Sequence, residues 1–86
     1  MRYFGSRGTL KGHVPGLYIV EASDYSTATS KLYSKWKGSS GVQPQESLRE
    51  IKDEWAKVLS DTIDRIRNRE TDYYVSLGDG VYYVEI

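Results

Sequence analysis

Pro44-Gln45-Glu46-Ser47-Leu48-Arg49-Glu50-Ile51 (PQESLREI) is the stretch on which the fold class turns. Proline suits the first position of a helix, where its missing N–H costs nothing. Ser47 and Glu50 match the S-x-x-E capping box, in which each side chain bonds the other's backbone N–H. Downstream, Leu48, Ile51, Trp55, Val58, Leu59, Thr62, Ile63 and Ile66 recur at three- and four-residue steps. That spacing forms a broad apolar stripe with charges on the remaining face. The pattern predicts a helix over 45–68. At ~1.5 Å per residue it would cross a whole small sheet. Arg65, Arg67 and Arg69 gather at its end, where cations complement the macrodipole.

Upstream, Leu17-Tyr18-Ile19-Val20-Glu21-Ala22 is rich in β-branched and aromatic residues, which predicts a strand over 17–22. Ser23 and Asp24 are good N-caps, and Tyr25, Ala28, Leu32 and Trp36 follow at helical spacing before Gly38. These features predict a first helix over 24–37. Its many serines and threonines are mediocre helix formers, so packing of the apolar stripe must supply most of its stability. Gly5, Gly8, Gly12, Pro15 and Gly16 make residues 1–16 either a mobile arm or a glycine-bent edge hairpin.

Residues 72–86 read as a hairpin turning on Asp79-Gly80, the residue pair a type I′ turn prefers. With those two at the turn, Leu77 faces Tyr82, Val75 faces Val84 and Tyr73 faces Ile86 on one side of the ribbon. The other side carries Tyr74 and Ser76 against Tyr83 and Glu85. In this register Tyr73 and Tyr82 belong to the core, while Tyr74 and Tyr83 point outward. The expected fold is therefore α+β, with two helices packed on one face of a small, mainly antiparallel sheet. Its order is (β-β)-α-α-β-β, closing with the C-terminal hairpin.

The chain of 86 residues, 38% hydrophobic and 28% charged, is expected to form a single domain, 1–86. It has no cysteine, which excludes disulfides, thiolate metal ligands and thiol catalysis. Met1-Arg2-Tyr3-Phe4-Gly5 does not resemble a signal peptide, and no run approaches the roughly 18 apolar residues of a membrane span. The expectation is a cytoplasmic protein with no membrane partner. Twelve basic residues balance twelve acidic ones. Their distribution is uneven: residues 1–45 hold Arg2, Arg7, Lys11, Lys31, Lys35 and Lys37 against Glu21 and Asp24, whereas acids prevail in 46–86.

Catalytic signals are absent from this pattern. His13, the only histidine, has no nucleophile or paired carboxylate spaced beside it. The acids Asp53, Asp61 and Asp64 suit solvated i,i+4 pairing. The glycines near Gly5 and Gly8 lack the strand-to-helix context and the G-K-S/T of a phosphate loop. No motif identifies a family. The sequence therefore points to a non-enzymatic accessory or inhibitory module that binds a protein and needs no cofactor or metal. Small cysteine-free modules of this kind are common among phage and mobile-element proteins that act on host machinery.

The expected binding residues are Tyr74, Tyr83, Arg65, Arg67 and Arg69, because tyrosine and arginine combine large contact area with polar tips. Arg7 and Lys11 add a basic N-terminal stretch. The C-terminal strand, at an edge, would offer a route to a homodimer. An alternative is nucleic-acid binding through that basic stretch and the sheet tyrosines, which the sequence pI of about 6.6 opposes. A further alternative is capture of a small anionic nucleotide.

Overall fold

A computed structural model describes residues 2–38, 41–52, 57, 61, 64 and 74–85. β1 (Arg2–Leu10) and β2 (Gly16–Ala22) form a long antiparallel hairpin, with Phe4 opposite Val20, Ser6 opposite Tyr18 and Gly8 opposite Gly16. Side chains alternate across a strand, so Phe4, Ser6, Leu10, Tyr18, Val20 and Ala22 share one face. All six are buried. Residues 2–16 are thus neither a mobile arm nor an edge piece. β1 is an interior strand, paired with β2 along one side and with two further strands along the other. Gly5 and Gly8 leave room for the Ile51 and Tyr18 side chains.

After β2 the chain enters α1 (Tyr25–Gly38), close to its expected limits. Asp24 caps it: its Oδ1 accepts the Thr27 N–H at 2.7 Å, and its carbonyl accepts the Ala28 N–H at 3.0 Å. The Thr27 hydrogen bond holds the Asp24 carboxyl below its usual range. Ala28 and Leu32 insert into the core. Tyr25 and Trp36, expected in the same stripe, are 43% and 50% exposed.

The PQESLREI segment does not open a helix. β3 (Val42–Pro44) pairs antiparallel with Leu10, Thr9 and Gly8, and β4 (Arg49–Ile51) pairs with Gly5, Phe4 and Tyr3. Both occupy the same side of β1. Glu50, expected to close the capping box, instead grips the Arg2 guanidinium through both carboxylate oxygens, at 2.5 and 2.8 Å. That contact lowers its carboxyl pKa. The buried Ser6 hydroxyl donates to the Glu46 carbonyl at 2.7 Å, and the Gln45 N–H donates to the Arg7 carbonyl at 2.9 Å. A strand with an open edge carries a row of backbone donors and acceptors that need partners. Satisfying them outweighs a local capping preference worth about 1 kcal/mol.

Of the remaining predicted helix, Lys57, Asp61 and Asp64 are exposed with helical backbone, and its other positions beyond Lys52 lie outside the described residues. Among the described residues α1 is the one continuous helix. It accompanies a six-stranded antiparallel sheet of order β3-β1-β2-β6-β5, with β4 beside β1 as well. This corrects the expected architecture of two helices on one face of a smaller sheet. Because β3 and β2 both run antiparallel to β1, they are parallel to each other, and β2-α1-β3 is a crossover that passes β1.

β5 (Tyr74–Gly78) and β6 (Val81–Glu85) turn on Asp79-Gly80 as expected, with φ of 55° and 78°. A bulge between Ser76 and Gly78 then shifts the register by one residue. Gly78 still faces Val81, but Ser76 faces Tyr82, Val75 faces Tyr83 and Tyr74 faces Val84. The expected sides of Tyr82 and Tyr83 therefore exchange, while Tyr73 lies outside the described residues. Tyr83 lies in the main core with Tyr18 and Phe4, joined by Val75 and Leu77, while Tyr82 packs with Ile19 on the opposite side of the sheet. Tyr83 is fully buried, not outward. β6 lies between β2 and β5, so both its edges are paired and it offers none to a second copy.

At the centre of the core the Tyr18 and Tyr83 rings meet at 5.0 Å between centroids. The Tyr18 hydroxyl donates to the Thr9 carbonyl and accepts the Gln43 N–H at 3.1 Å; the Tyr83 hydroxyl donates to the Val14 carbonyl at 2.5 Å. Burial pushes both phenols above the ordinary tyrosine range. A phenol whose folded pKa is raised releases its proton more readily from the unfolded chain. Stability should hold up to about pH 10 and fall as pH rises further, read as a lower urea midpoint at pH 11 than at pH 8. The Gly8–Gly16 pair is equally exacting: a Cβ on Gly16 would lie 2.0 Å from the Val84 carbonyl oxygen. Gly16→Ala should cost about 4 kcal/mol or more in urea unfolding. Gly38→Ala, where a Cβ meets nothing within 4 Å, should change stability by about 1 kcal/mol or less.

Candidate functional site

Helical spacing explains why α1 cannot bury all its large side chains. Ala28 and Leu32 point at the sheet, and Tyr25, Thr29, Tyr33 and Trp36 fall on the flank turned by roughly one quarter from them. That flank looks across to the segment joining β3 to β4. Between them lies a groove of ≈ 400 Å³, floored by Leu32 and Leu48, which are 5% and 7% exposed. Tyr25, Tyr33 and Trp36 form the helical wall. Pro44 and Glu46 are on the other.

The second wall is fixed from beneath. Besides the Ser6 and Arg7 bonds to Glu46 and Gln45, the Arg7 N–H donates to the Glu46 Oε1 at 3.2 Å. Residues 45–48 thus span the gap between two strands while remaining tied to β1. On the helical wall Tyr33 and Trp36 meet edge to face, with centroids 6.3 Å apart and ring planes at 83°. The Lys37 ammonium sits 5.4 Å from the Tyr33 ring centroid. At the other end Tyr25 contacts the buried Phe4 ring at 5.8 Å. Among the described residues Glu46 is the charged one in the lining, and no lysine or arginine belongs to it.

Comparison with protein-family models, curated proteins and solved structures returns no match for this chain.

The residues expected to form the site do not assemble into one. Tyr83 is core, with its hydroxyl spent on the Val14 carbonyl. Tyr74 occupies the β5 position opposite Val84. Arg7 and Lys11 are exposed but lie on β1 and just after it. β2 and β6 separate β1 from β5, a distance of roughly 14 Å at the usual strand spacing. Arg65, Arg67 and Arg69 fall outside the described residues. His13 stands 3.7 Å from Glu85, whose Oε2 also accepts the Val14 N–H, so this group ties the β1–β2 connection to β6. Among the described residues no three potential metal ligands cluster, and no helix is long and apolar enough to cross a membrane.

Tyr33 drew no attention in the sequence, and Tyr25 and Trp36 read there as core. The available signal was stripe width: Tyr25, Thr29, Leu32, Tyr33 and Trp36 span more of the helix surface than a small sheet covers. Because these aromatics are about half exposed, the double variant Tyr33→Ser, Trp36→Ser should keep its thermal midpoint within a few degrees of the parent. Leu48→Ala, which removes the floor, should cost about 2–4 kcal/mol in urea unfolding.

Proposed function

We propose that this protein is a non-enzymatic binding module that engages another protein through the groove beside α1. The observation that carries this reading is the exposure of Tyr33 and Trp36, 52% and 50%, above an apolar floor and opposite a backbone-anchored wall. Exposed aromatic side chains next to a preformed apolar cleft are the anchors that dominate protein interfaces. The wall's tethering to β1 lowers the ordering cost of binding.

Charge weighs against the alternatives. Nucleic acid and free nucleotides both require cations where phosphate lies. Among the described residues that line the groove there is none; Lys37 lies against the Tyr33 ring at its rim, and Lys31 on the far flank of α1 donates to the Glu21 carbonyl at 3.1 Å. The aromatic rings would offer stacking platforms without the electrostatic track that accompanies them in single-strand binders. An accessory or inhibitory role suits a domain that presents such a groove to a partner. The absence of cysteine suits a reducing compartment, in keeping with action inside a cell.

The test places the photoreactive residue p-benzoylphenylalanine at Thr29, inside the groove, and irradiates the protein in a lysate of its source cells. A discrete protein adduct that disappears in the Tyr33→Ser, Trp36→Ser background supports the reading. Adducts only with nucleic acid, or protein adducts insensitive to those substitutions, would overturn it.

A further inference from the structure

We infer that the groove is built to take a positively charged side chain, a guanidinium or an alkylated ammonium, presented by an extended segment of the protein partner. The inference rests on the protein-binding reading above and names the chemistry of the contact.

Three observations on one surface support it. Tyr33 and Trp36 stand at 83° to one another, so that they form a corner with a π face on each side. Aromatic faces carry negative potential, and corners of this kind suit weakly hydrated organic cations. The protein's own Lys37 ammonium, one helical turn on, lies 5.4 Å from the Tyr33 centroid, within the range of a cation–π contact. Glu46, on the wall opposite the rings, is the charged residue of the lining, and among the described residues no basic side chain joins it there. Its anchoring through Oε1 to the Arg7 N–H fixes where that negative charge sits. Aromatic faces and one fixed carboxylate around an apolar floor complement a cation with a greasy stem, and they repel an anionic partner.

The length of the groove sets the form of the ligand. Tyr25 and Trp36 are eleven residues apart on α1, roughly 16 Å along the axis. An extended peptide covers that distance with about five residues. One residue places its cation at the Tyr33–Trp36 corner, while its neighbours lie along Leu32 and Leu48 toward Tyr25.

The experiment uses the full chain, labelled with ¹⁵N, and four peptides of the form acetyl-Ala-Ala-X-Ala-Ala-amide. X is arginine, lysine, trimethyl-lysine, or the neutral tert-butyl isostere of trimethyl-lysine. Arginine or trimethyl-lysine should shift the amide resonances of Tyr33, Trp36 and Glu46 and bind about fivefold or more tightly than the neutral isostere. Comparing those two peptides distinguishes a guanidinium from an alkylated ammonium as the preferred source. Glu46→Gln, which keeps the oxygen that accepts the Arg7 N–H, should weaken the cationic peptides severalfold and leave the isostere unchanged. Lys37→Met, by removing an internal competitor, should strengthen them. Equal binding of the neutral isostere, insensitivity to Glu46→Gln, or no shift with any peptide at millimolar concentration would overturn the inference. A Thr29 adduct with a protein partner would then still leave the groove as an interface of different chemistry. Peptide binding without such an adduct would instead remove the proposed protein partner.

Discussion

The sheet depends on the space above Gly8. A side chain there would press its Cβ to within 2.6 Å of the Tyr18 ring, because that ring already fills the position. From this seat Tyr18 reaches the Thr9 carbonyl and the Gln43 amide, joining β1 and β3 through one hydroxyl, and supports the Tyr83 ring of β6. Four strands are thereby coupled through two phenols. Buried hydroxyls are tolerable only when fully partnered, and among the described residues no buried side-chain polar atom lacks a hydrogen bond. The arrangement specifies register as well as burial, since a one-residue shift of any participating strand would carry a phenol away from its carbonyl.

The same strand that receives Tyr18 also shapes the groove. β1 is nine residues long, whereas β3 and β4 are three each. The unpaired interval between them, residues 45–48, arches over Ser6 and Arg7 instead of following the sheet. That arch is the second wall. A continuous strand in its place would have kept Glu46 in the ladder, and α1 would have had no facing ridge from which to form a cleft. Ser6, itself buried, is therefore central to the surface although it never reaches it. Its hydroxyl converts an interruption in strand pairing into a fixed feature.

Sequence legibility followed the range of the interactions. Strand 17–22, the Asp24 cap and the Asp79-Gly80 turn are decided within a few residues, and each formed where local chemistry predicts. PQESLREI failed because its capping signals competed with the open edge of a strand some forty residues upstream, which no local window reveals. The bulge near Leu77 is subtler. Asp79-Gly80 set the turn correctly, yet Gly78 also adopts positive φ, at 86°, and the additional residue exchanges the sides of Tyr82 and Tyr83. For the groove, the aromatic residues were visible but their role was not, because which flank of α1 faces the sheet depends on where β3 and β4 lie.

The pairing pattern also bears on how this chain reaches its folded state. Although the β1–β2 hairpin closes locally, its buried phenol pair is completed only by β6: the Tyr83 hydroxyl and the Val14 carbonyl it meets are 69 residues apart in sequence. Contacts of such separation require loop closure before they return any stabilisation, which puts the protein among topologies that fold in milliseconds to seconds rather than microseconds. Until β6 arrives, the hairpin must hold Tyr18 against a half-built core. Nascent chains of this protein therefore pass through an interval in which an apolar, tyrosine-rich sheet surface stands open, and a cell producing it must keep that surface from finding another copy.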